Sequence, residues 1–442
     1  MVRKKITKAI AFTVLLFAAV FSETVRPRAD AAEIEAIVSS IPSDWPVAPE
    51  IPAEAAILMD AESGEILYAK NATKTMFPAS TTKLATALLT LENASLQDVV
   101  KFTFQAVNIP AGSSHIGMRR GESMVLKECL YALLLPSANE VANALAEHVS
   151  GDQATFVTRM NDRMKQLGAV NTSFTNTNGL HDEAHYTCAY DLALVMKALS
   201  TNSIFLEIAS KQSYVHHADE LLPKNIPMTN TNMMIRPSSE FYDSTVICGK
   251  TGHTTESGFN LVTLAEQDGT RLISVVLGAA STMQYVSTES LLNYGFHYFH
   301  SVLPAELDVS LNMENRFTPS RLQIPTPEEA LLRIRSTDSI LLPDNVTFDK
   351  LTKEVSKSED GIVITYLYKN YPLGTVSLES GQDDVKSAIF AEKEHITAPE
   401  KPEPLLVIDG WLMLVLVLIG ASSVLTIGYL IRRFMPRKTF RS

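Results

Sequence analysis

The chain has 442 residues, 46% hydrophobic and 20% charged, with 19 glycines and 21 prolines, which excludes a disordered polymer or a collagen-like repeat. That length sets an expectation of two or three domains with at least one sizeable core. Net charge is −11, and residues 32–410 carry 27 basic against 47 acidic side chains, a surface that speaks against nucleic acid as a partner because phosphates demand basic groups.

Taken in chain order, residues 1–31 read as a signal peptide. Arg3, Lys4, Lys5 and Lys8 precede thirteen almost wholly apolar residues, Ala9 to Phe21, and Ala29-Asp30-Ala31 offers the small-x-small pattern of a cleavage site. Thirteen residues fall short of the roughly 20 a membrane span requires. Next, the runs 55–59 and 65–68, separated by Asp60-Ala61-Glu62-Ser63-Gly64, predict an antiparallel hairpin. Helical stripes follow at Leu84, Leu88 and Leu91, at Val157, Met160, Met164 and Leu167 stopped by Gly168, and at Leu192, Val195, Met196 and Leu199. Strands return at 245–248, 259–264 and 271–277, the last two joined by Gln267-Asp268-Gly269-Thr270. Strands, then helices, then strands imply an α+β fold, an antiparallel sheet carrying a helical block.

Beyond about residue 304 short strand-like runs, 362–366 and 375–378 around Pro372-Leu373-Gly374, predict a small β-rich domain. Pro399, Pro402 and Pro404, interleaved with Glu400, Lys401 and Glu403, make a stiff solvated connector. Trp411 to Ile431 is twenty-one uncharged residues, long enough to cross a bilayer, and Arg432, Arg433, Arg437, Lys438 and Arg441 behind it mark the cytoplasmic side. The expected organisation is therefore signal peptide 1–31, catalytic domain 32–303, β-rich domain 304–392, linker 393–410, transmembrane helix 411–431 and basic cytoplasmic tail 432–442. The body stands outside the membrane. Cys129, Cys188 and Cys248 have no CxxC spacing and read as small buried hydrophobes.

Three short motifs carry the chemistry. Ser80-Thr81-Thr82-Lys83 opens the first strong helix, so that Ser80 and Lys83, three apart, share a face. Ser137-Ala138-Asn139 lies in a turn between two apolar helices, and Lys250-Thr251-Gly252 continues a strand in which Gly252 leaves room for close backbone approach. Singly these read as a helix cap, a turn and a solvated strand end. SxxK, a Ser-x-Asn element and KTG in that order form a known signature of penicillin-binding proteins and serine β-lactamases. From ordinary residue usage SxxK arises by chance about once or twice in such a chain, and KTG about once in ten chains, so it is the ordered trio that is specific.

Longer stretches carry a resemblance: Met76 to Ser80, Leu133 to Gly151, Phe156 to Leu180, Gly249 to Val262 and Leu291 to Phe296. Over about residues 35–300 the chain resembles the low-molecular-weight penicillin-binding proteins that are serine-type D-alanyl-D-alanine carboxypeptidases. The resemblance implies Ser80 as the acyl-accepting nucleophile and Lys83 as its base, with its pKa depressed by burial and by Lys250. It implies Ser137 as the relay to the departing nitrogen, Asn139 on the substrate backbone, and Lys250, Thr251 and Gly252 around the terminal carboxylate. The oxyanion hole falls to the backbone N–H groups of Ser80 and His253. The implied partners are peptidoglycan stem peptides ending in D-Ala-D-Ala, and β-lactams as covalent inhibitors; no cofactor and no metal are implied.

Three departures from the family pattern stand out. Glu140 and Cys188 replace the usual Asp and Ser, with little expected consequence. Gln284 stands seven residues before Leu291 where family members often carry an arginine, and a neutral amide cannot make that charge-assisted contact with a carboxylate. A competing motif, His181-Asp182-Glu183-Ala184-His185, has H-x-x-x-H spacing but its glutamate one place late for a zinc-peptidase helix, in what reads as a loop. His216-His217 reads as a solvated loop pair. The reading is an exported, single-pass membrane-anchored D-alanyl-D-alanine carboxypeptidase. The alternatives are a D,D-endopeptidase or β-lactamase on the same fold, or a non-catalytic wall-binding protein.

Overall fold

The computed structural model describes residues 41–308, 332–358 and 361–380, all within one compact unit. The expected signal peptide, linker, transmembrane helix and basic tail lie outside these residues. The centre is a five-stranded antiparallel sheet in the order β2-β1-β9-β8-β7, built from β1 (Ala55–Asp60), β2 (Ile66–Lys70), β7 (Val246–Thr254), β8 (Gly258–Gln267) and β9 (Thr270–Ala279). Both faces are covered. Ala55, Ile57 and Met59 of β1 and Ile273, Val275 and Leu277 of β9 point into a core shared with the helical block, while Ala56, Leu58, Leu272 and Val276 point the other way into a second core. Alternation along each strand thus reads as a continuous apolar run because neither face meets water. Asp268 and Gly269, at φ +52° and +82°, close β8 on β9 as an Asp-Gly two-residue turn should.

The helical block comprises α1 (Lys83–Asn93), the short α2 (Phe104–Val107), α3 (Leu126–Leu134), α4 (Asn139–Ser150), α5 (Gln153–Leu167), α6 (Ala189–Leu199) and α7 (Ser203–Ala209), with the antiparallel pair β3 (Val99–Lys101) and β4 (Ser123–Val125) between its early helices. Local chemistry sets the ends. Asp152 accepts the Thr155 N–H at 2.8 Å to start α5, and Gly168, left-handed at φ +84°, stops it. At α6 the cap is Cys188, whose Sγ accepts from Asp191 N at 3.5 Å, so the thiol fills the place of a hydroxyl. All three cysteines are buried and free.

On the opposite face α8 (Met283–Tyr298) packs through Tyr285, Leu291 and Leu292. A Cβ at Gly295 would come within 2.4 Å of Leu272 Cδ1 and 2.9 Å of Leu58 Cδ2, so glycine lets this helix settle onto the sheet. The chain continues into β10 (Phe299–Val302) and the short α9 (Pro304–Leu307). Strand β10 pairs with β12 (Ile340–Pro343), so the part built on the central sheet and the β-rich part meet across a ladder. Strands β11 (Leu332–Ile334), β13 (Thr352–Ser358), β14 (Gly361–Tyr368) and β15 (Tyr371–Ser380) form a separate sheet in the order β11-β15-β14-β13. The turn between β14 and β15 is Lys369-Asn370, at φ +49° and +69°, and not Pro372-Leu373-Gly374, which lies inside β15. Tyr366 and Tyr371 are fully buried there, donating to Asp308 Oδ2 at 2.8 Å and Ile66 O at 2.5 Å.

His216 corrects a second expectation. It ends β5 (Ser213–His216), paired with β6 (Ile226–Thr229), and strand alternation turns its ring inward, where Nδ1 lies 3.2 Å from Glu128 Oε2. Only His217 faces solvent.

Candidate active site

Ser80 sits in a 3-10 turn, Ala79–Thr82, immediately before α1, so that Lys83 opens the helix one turn on. Ala79 takes φ +49°, a left-handed conformation costly for a residue with a Cβ. Two sets of contacts hold the turn in place. Asn260 Nδ2 donates to Phe77 O at 2.9 Å and Pro78 O at 3.0 Å, and Thr82 Oγ1 donates to Ala79 O at 2.8 Å. His185 supports Thr82 from behind. Thr175 N–H donates to His185 Nδ1 at 3.0 Å, so the ring proton is on Nε2, 2.8 Å from Thr82 Oγ1. Burial depresses the His185 pKa to about 4, and the ring stays neutral. Both its nitrogens serve within the protein, while His181 packs edge-on against Phe77 at 4.7 Å, so the H-x-x-x-H pair takes on a structural role.

Lys83 is fully buried, and its Nζ lies 2.9 Å from Ser80 Oγ, 2.7 Å from Asn139 Oδ1 and 2.7 Å from the Asn178 carbonyl. Burial and then the charge of Lys250 hold its pKa well below the ordinary lysine range, opposed by Glu140. A neutral amine has two N–H donors and one lone pair. Asn139 Oδ1 and Asn178 O can only accept and take the two donors, which leaves the lone pair for the Ser80 hydroxyl proton. The geometry thus turns the lone pair of a neutral Lys83 toward the Ser80 hydroxyl.

Ser137, between α3 and α4, adopts φ +65°, and its buried Oγ has no partner among the described residues. Asn139 opens α4, with its backbone N–H donating to Ser114 O at 2.8 Å. Gly252 of β7 lies against the Ser80 turn: a Cβ there would stand 2.8 Å from Pro78 O and 3.1 Å from Ser80 N. That approach brings β7, with His253, beside the Ser80 amide. These groups surround a cleft of about 530 Å³ lined by Ser80, Ser137, Asn139, Thr251, His253 and Gln284 among others.

Lys250 is buried beside the cleft. Only 1% exposed, it is absent from the cleft lining, and its Nζ donates to Thr251 O at 2.9 Å. Burial alone lowers its pKa to about 7. Thr251, whose Oγ1 lies 2.6 Å from Thr231 Oγ1, is what faces the cleft.

Sequence reasoning gave no role to Asn178, Gly179, Thr231 or Glu140. Gly179, at φ +86°, lies so close to the Ser80 turn that a Cβ would come 1.8 Å from Ala79 O. The Asn178-Gly179 pair carries a turn signal that marks this position. Glu140 Oε1 accepts the Ile116, Gly117 and Met118 amides at 2.8, 3.1 and 3.4 Å, fixing the loop that brings Ser113 and Ser114 to the cleft.

A buried lysine poised on a serine, a second serine in a strained turn and a glycine-edged strand on an α+β scaffold define a serine acyl-enzyme of the penicillin-binding class. Residues 43–281 match the family model described as D-alanyl-D-alanine carboxypeptidase, and the chain belongs to that family of serine hydrolases. It is 29% identical to D-alanyl-D-alanine carboxypeptidase DacF of Bacillus subtilis over 78% of this chain and 86% of that one. It is 32% identical to DacC of Escherichia coli over 67% and 72%. Penicillin-binding protein 5 of Haemophilus influenzae superposes with a TM-score of 0.59 at 25% identity, covering 76% of this chain and 98% of that one.

Proposed function

We propose that this chain removes the terminal D-alanine from peptidoglycan stem peptides through an acyl-enzyme on Ser80, and that β-lactams acylate the same oxygen. The observation that carries the reading is the Lys83 environment, whose two carbonyl acceptors leave the amine lone pair for the Ser80 proton. Ser80 Oγ attacks the carbonyl of the penultimate residue as its proton passes to Lys83. The oxyanion forms between the N–H groups of Ser80 and His253. Ser137, with its unpartnered hydroxyl, passes a proton to the departing nitrogen, while Asn139 orients the peptide. The leaving residue meets Thr251 beside Gly252, with Lys250 contributing its charge from behind. Water then hydrolyses the ester.

The remaining assignments rest on sequence. Residues 1–31 export the protein; 411–431, followed by the basic 432–442, tether it with the catalytic body outside; and the β-rich 304–392 with linker 393–410 spaces that body from the bilayer. One experiment tests chemistry and tether together. A chain ending at Pro404, expressed with its signal, is released in soluble form, and penicillin labels it at Ser80 in a tryptic digest. Label at another residue, or none, overturns the nucleophile assignment; retention on membranes overturns the tether.

A further inference from the structure

Thr86, Asn143 and Thr177 are buried polar residues that stand near Lys83 without lining the cleft. Helix α4 begins with Asn139, whose Oδ1 accepts one Lys83 N–H, and one turn on it carries Asn143, only 6% exposed. Four residues apart, the two share a face of the helix. Asn143 Oδ1 accepts from Thr177 Oγ1 at 2.7 Å and from Asn178 Nδ2 at 3.2 Å, while its Nδ2 donates to Ala106 O at 3.2 Å. Thr86, three residues after Lys83 on α1, donates to Thr177 O at 2.6 Å.

Both carboxamides have a single orientation. A backbone carbonyl only accepts, so the Asn143 group facing Ala106 O is its nitrogen; a backbone N–H only donates, so the Asn178 group that meets the Leu180 N–H at 3.0 Å is its oxygen. The Asn143 oxygen therefore holds the side chains of both residue 177 and residue 178. The peptide unit that follows is fixed at its other end, where the Gly179 N–H donates to Asn176 Oδ1 at 2.7 Å. That same unit carries the Asn178 carbonyl, the second acceptor of Lys83, at 2.7 Å. A carbonyl in a loop keeps its aim only while the loop is held. Both acceptors that occupy the Lys83 N–H donors thus depend on α4, one directly through Asn139 and the other through Asn143.

We infer that Asn143 is a positioning residue for the transfer of the Ser80 proton to Lys83, acting through the aim of the Asn178 carbonyl. Without it the 177–178 segment loses its tie to α4, the carbonyl turns from Nζ, and the amine rotates so that its lone pair no longer stays on the Ser80 hydroxyl. The loss falls on the chemical step and not on binding, because Asn143 does not line the cleft. The inference deepens the proposed function and rests on Ser80 and Lys83 serving as nucleophile and base.

The test follows Ser80 acylation by mass spectrometry over a range of penicillin concentrations, which separates the saturating rate from the half-saturating concentration. Asn143→Ala lowers the saturating rate about tenfold and leaves the half-saturating concentration within about twofold. Thr177→Val, nearly isosteric, deletes only the hydroxyl that Asn143 accepts and lowers the same rate about fivefold. The double variant stays within about twofold of Asn143→Ala, since both changes release the same carbonyl. A rate that Asn143→Ala leaves within about twofold, a weaker half-saturation at an unchanged rate, or a smaller yield of adduct at an unchanged rate shows a residue that only supports the fold, and overturns the inference. So does a double variant slowed by the full product, about fiftyfold. Absence of any Ser80 adduct in the wild-type protein is a different result: it removes the serine-enzyme reading itself, and this inference with it.

Discussion

The cleft and the β-rich sheet are built from the same kinds of residue yet treat their polar groups in opposite ways. In the sheet, the buried hydroxyls of Tyr366 and Tyr371 have partners at 2.8 and 2.5 Å, and among the described residues only Lys369 and Asn370, in the turn, take positive φ without being glycine. Around the cleft, Ala79, Ser137 and Thr282 take φ of +49°, +65° and +66°, although none is a residue type that favours that region. Ser137 Oγ and Gln284 Oε1 are buried with no partner among the described residues, and two lysines are buried within reach of each other's charge. Each strained residue costs on the order of 1–3 kcal/mol and persists only because the surroundings over-determine it. Around the cleft, unmet hydrogen-bonding capacity and backbone strain thus occur together, a pairing absent from the β-rich sheet among the described residues.

The largest effect that could break this contrast lies at Lys83. Lys83→Ala removes the amine that lies 2.9 Å from Ser80 Oγ, and penicillin acylation should fall about a thousandfold or more while near-ultraviolet circular dichroism keeps its native form. A loss below tenfold would mean that the buried amine is another packed polar group, no different in kind from Tyr366.

Much of this contrast was legible in the sequence, but not its supports. The stripes at Leu192, Val195, Met196 and Leu199 and the Asp268-Gly269 turn are local patterns, and local patterns survive into the fold. The Ser80–Lys83 pair is legible for the same reason, being three residues apart. The partners that decide the Lys83 proton count are 56 and 95 residues away, and no periodicity announces them. His216 was misjudged because a strand of four residues offers too little alternation to fix which side faces Glu128. The β14–β15 turn was misplaced because Pro372 and Gly374 are strong turn residues, whereas Lys369 enters a left-handed conformation only because the ladder on both sides demands it.

A smaller effect sharpens the contrast through pH. Lys250 has a folded pKa of about 7 against an ordinary value of 10.5, so between those values the unfolded chain holds a proton that the folded one has released. Stability must then rise with pH across that window, by about 1.4 kcal/mol per pH unit, or roughly 2 kcal/mol between pH 7 and 9. Below pH 7 both states are protonated and the burial penalty is fully present. Lys250→Met removes the group, so the difference in denaturation free energy between variant and wild type should shrink as pH rises. If the difference stays constant with pH, Lys250 is not the strained cation that separates the cleft from the β-rich sheet.

The smallest effect probes the other side of the comparison, at the Tyr371 hydroxyl where the β-rich sheet touches β2. Tyr371→Phe keeps the ring, which packs against Trp45 at 5.2 Å, and deletes only the donor to Ile66 O. A neutral buried hydrogen bond contributes about 1 kcal/mol, which in a unit of this size lowers the melting temperature by about 2 °C. The rate of Ser80 acylation should not change, because Tyr371 contacts the outer strand of the central sheet, at the opposite edge from β7 with its Thr251 and Gly252. The two quantities are read on the same sample, by thermal denaturation and by penicillin labelling. A melting shift without a rate change fits a sheet that only holds the molecule together. A rate change of more than about threefold would mean that the sheet transmits strain from its outer edge to the nucleophile turn, and the cleft and the β-rich sheet would have to be treated as one mechanical unit.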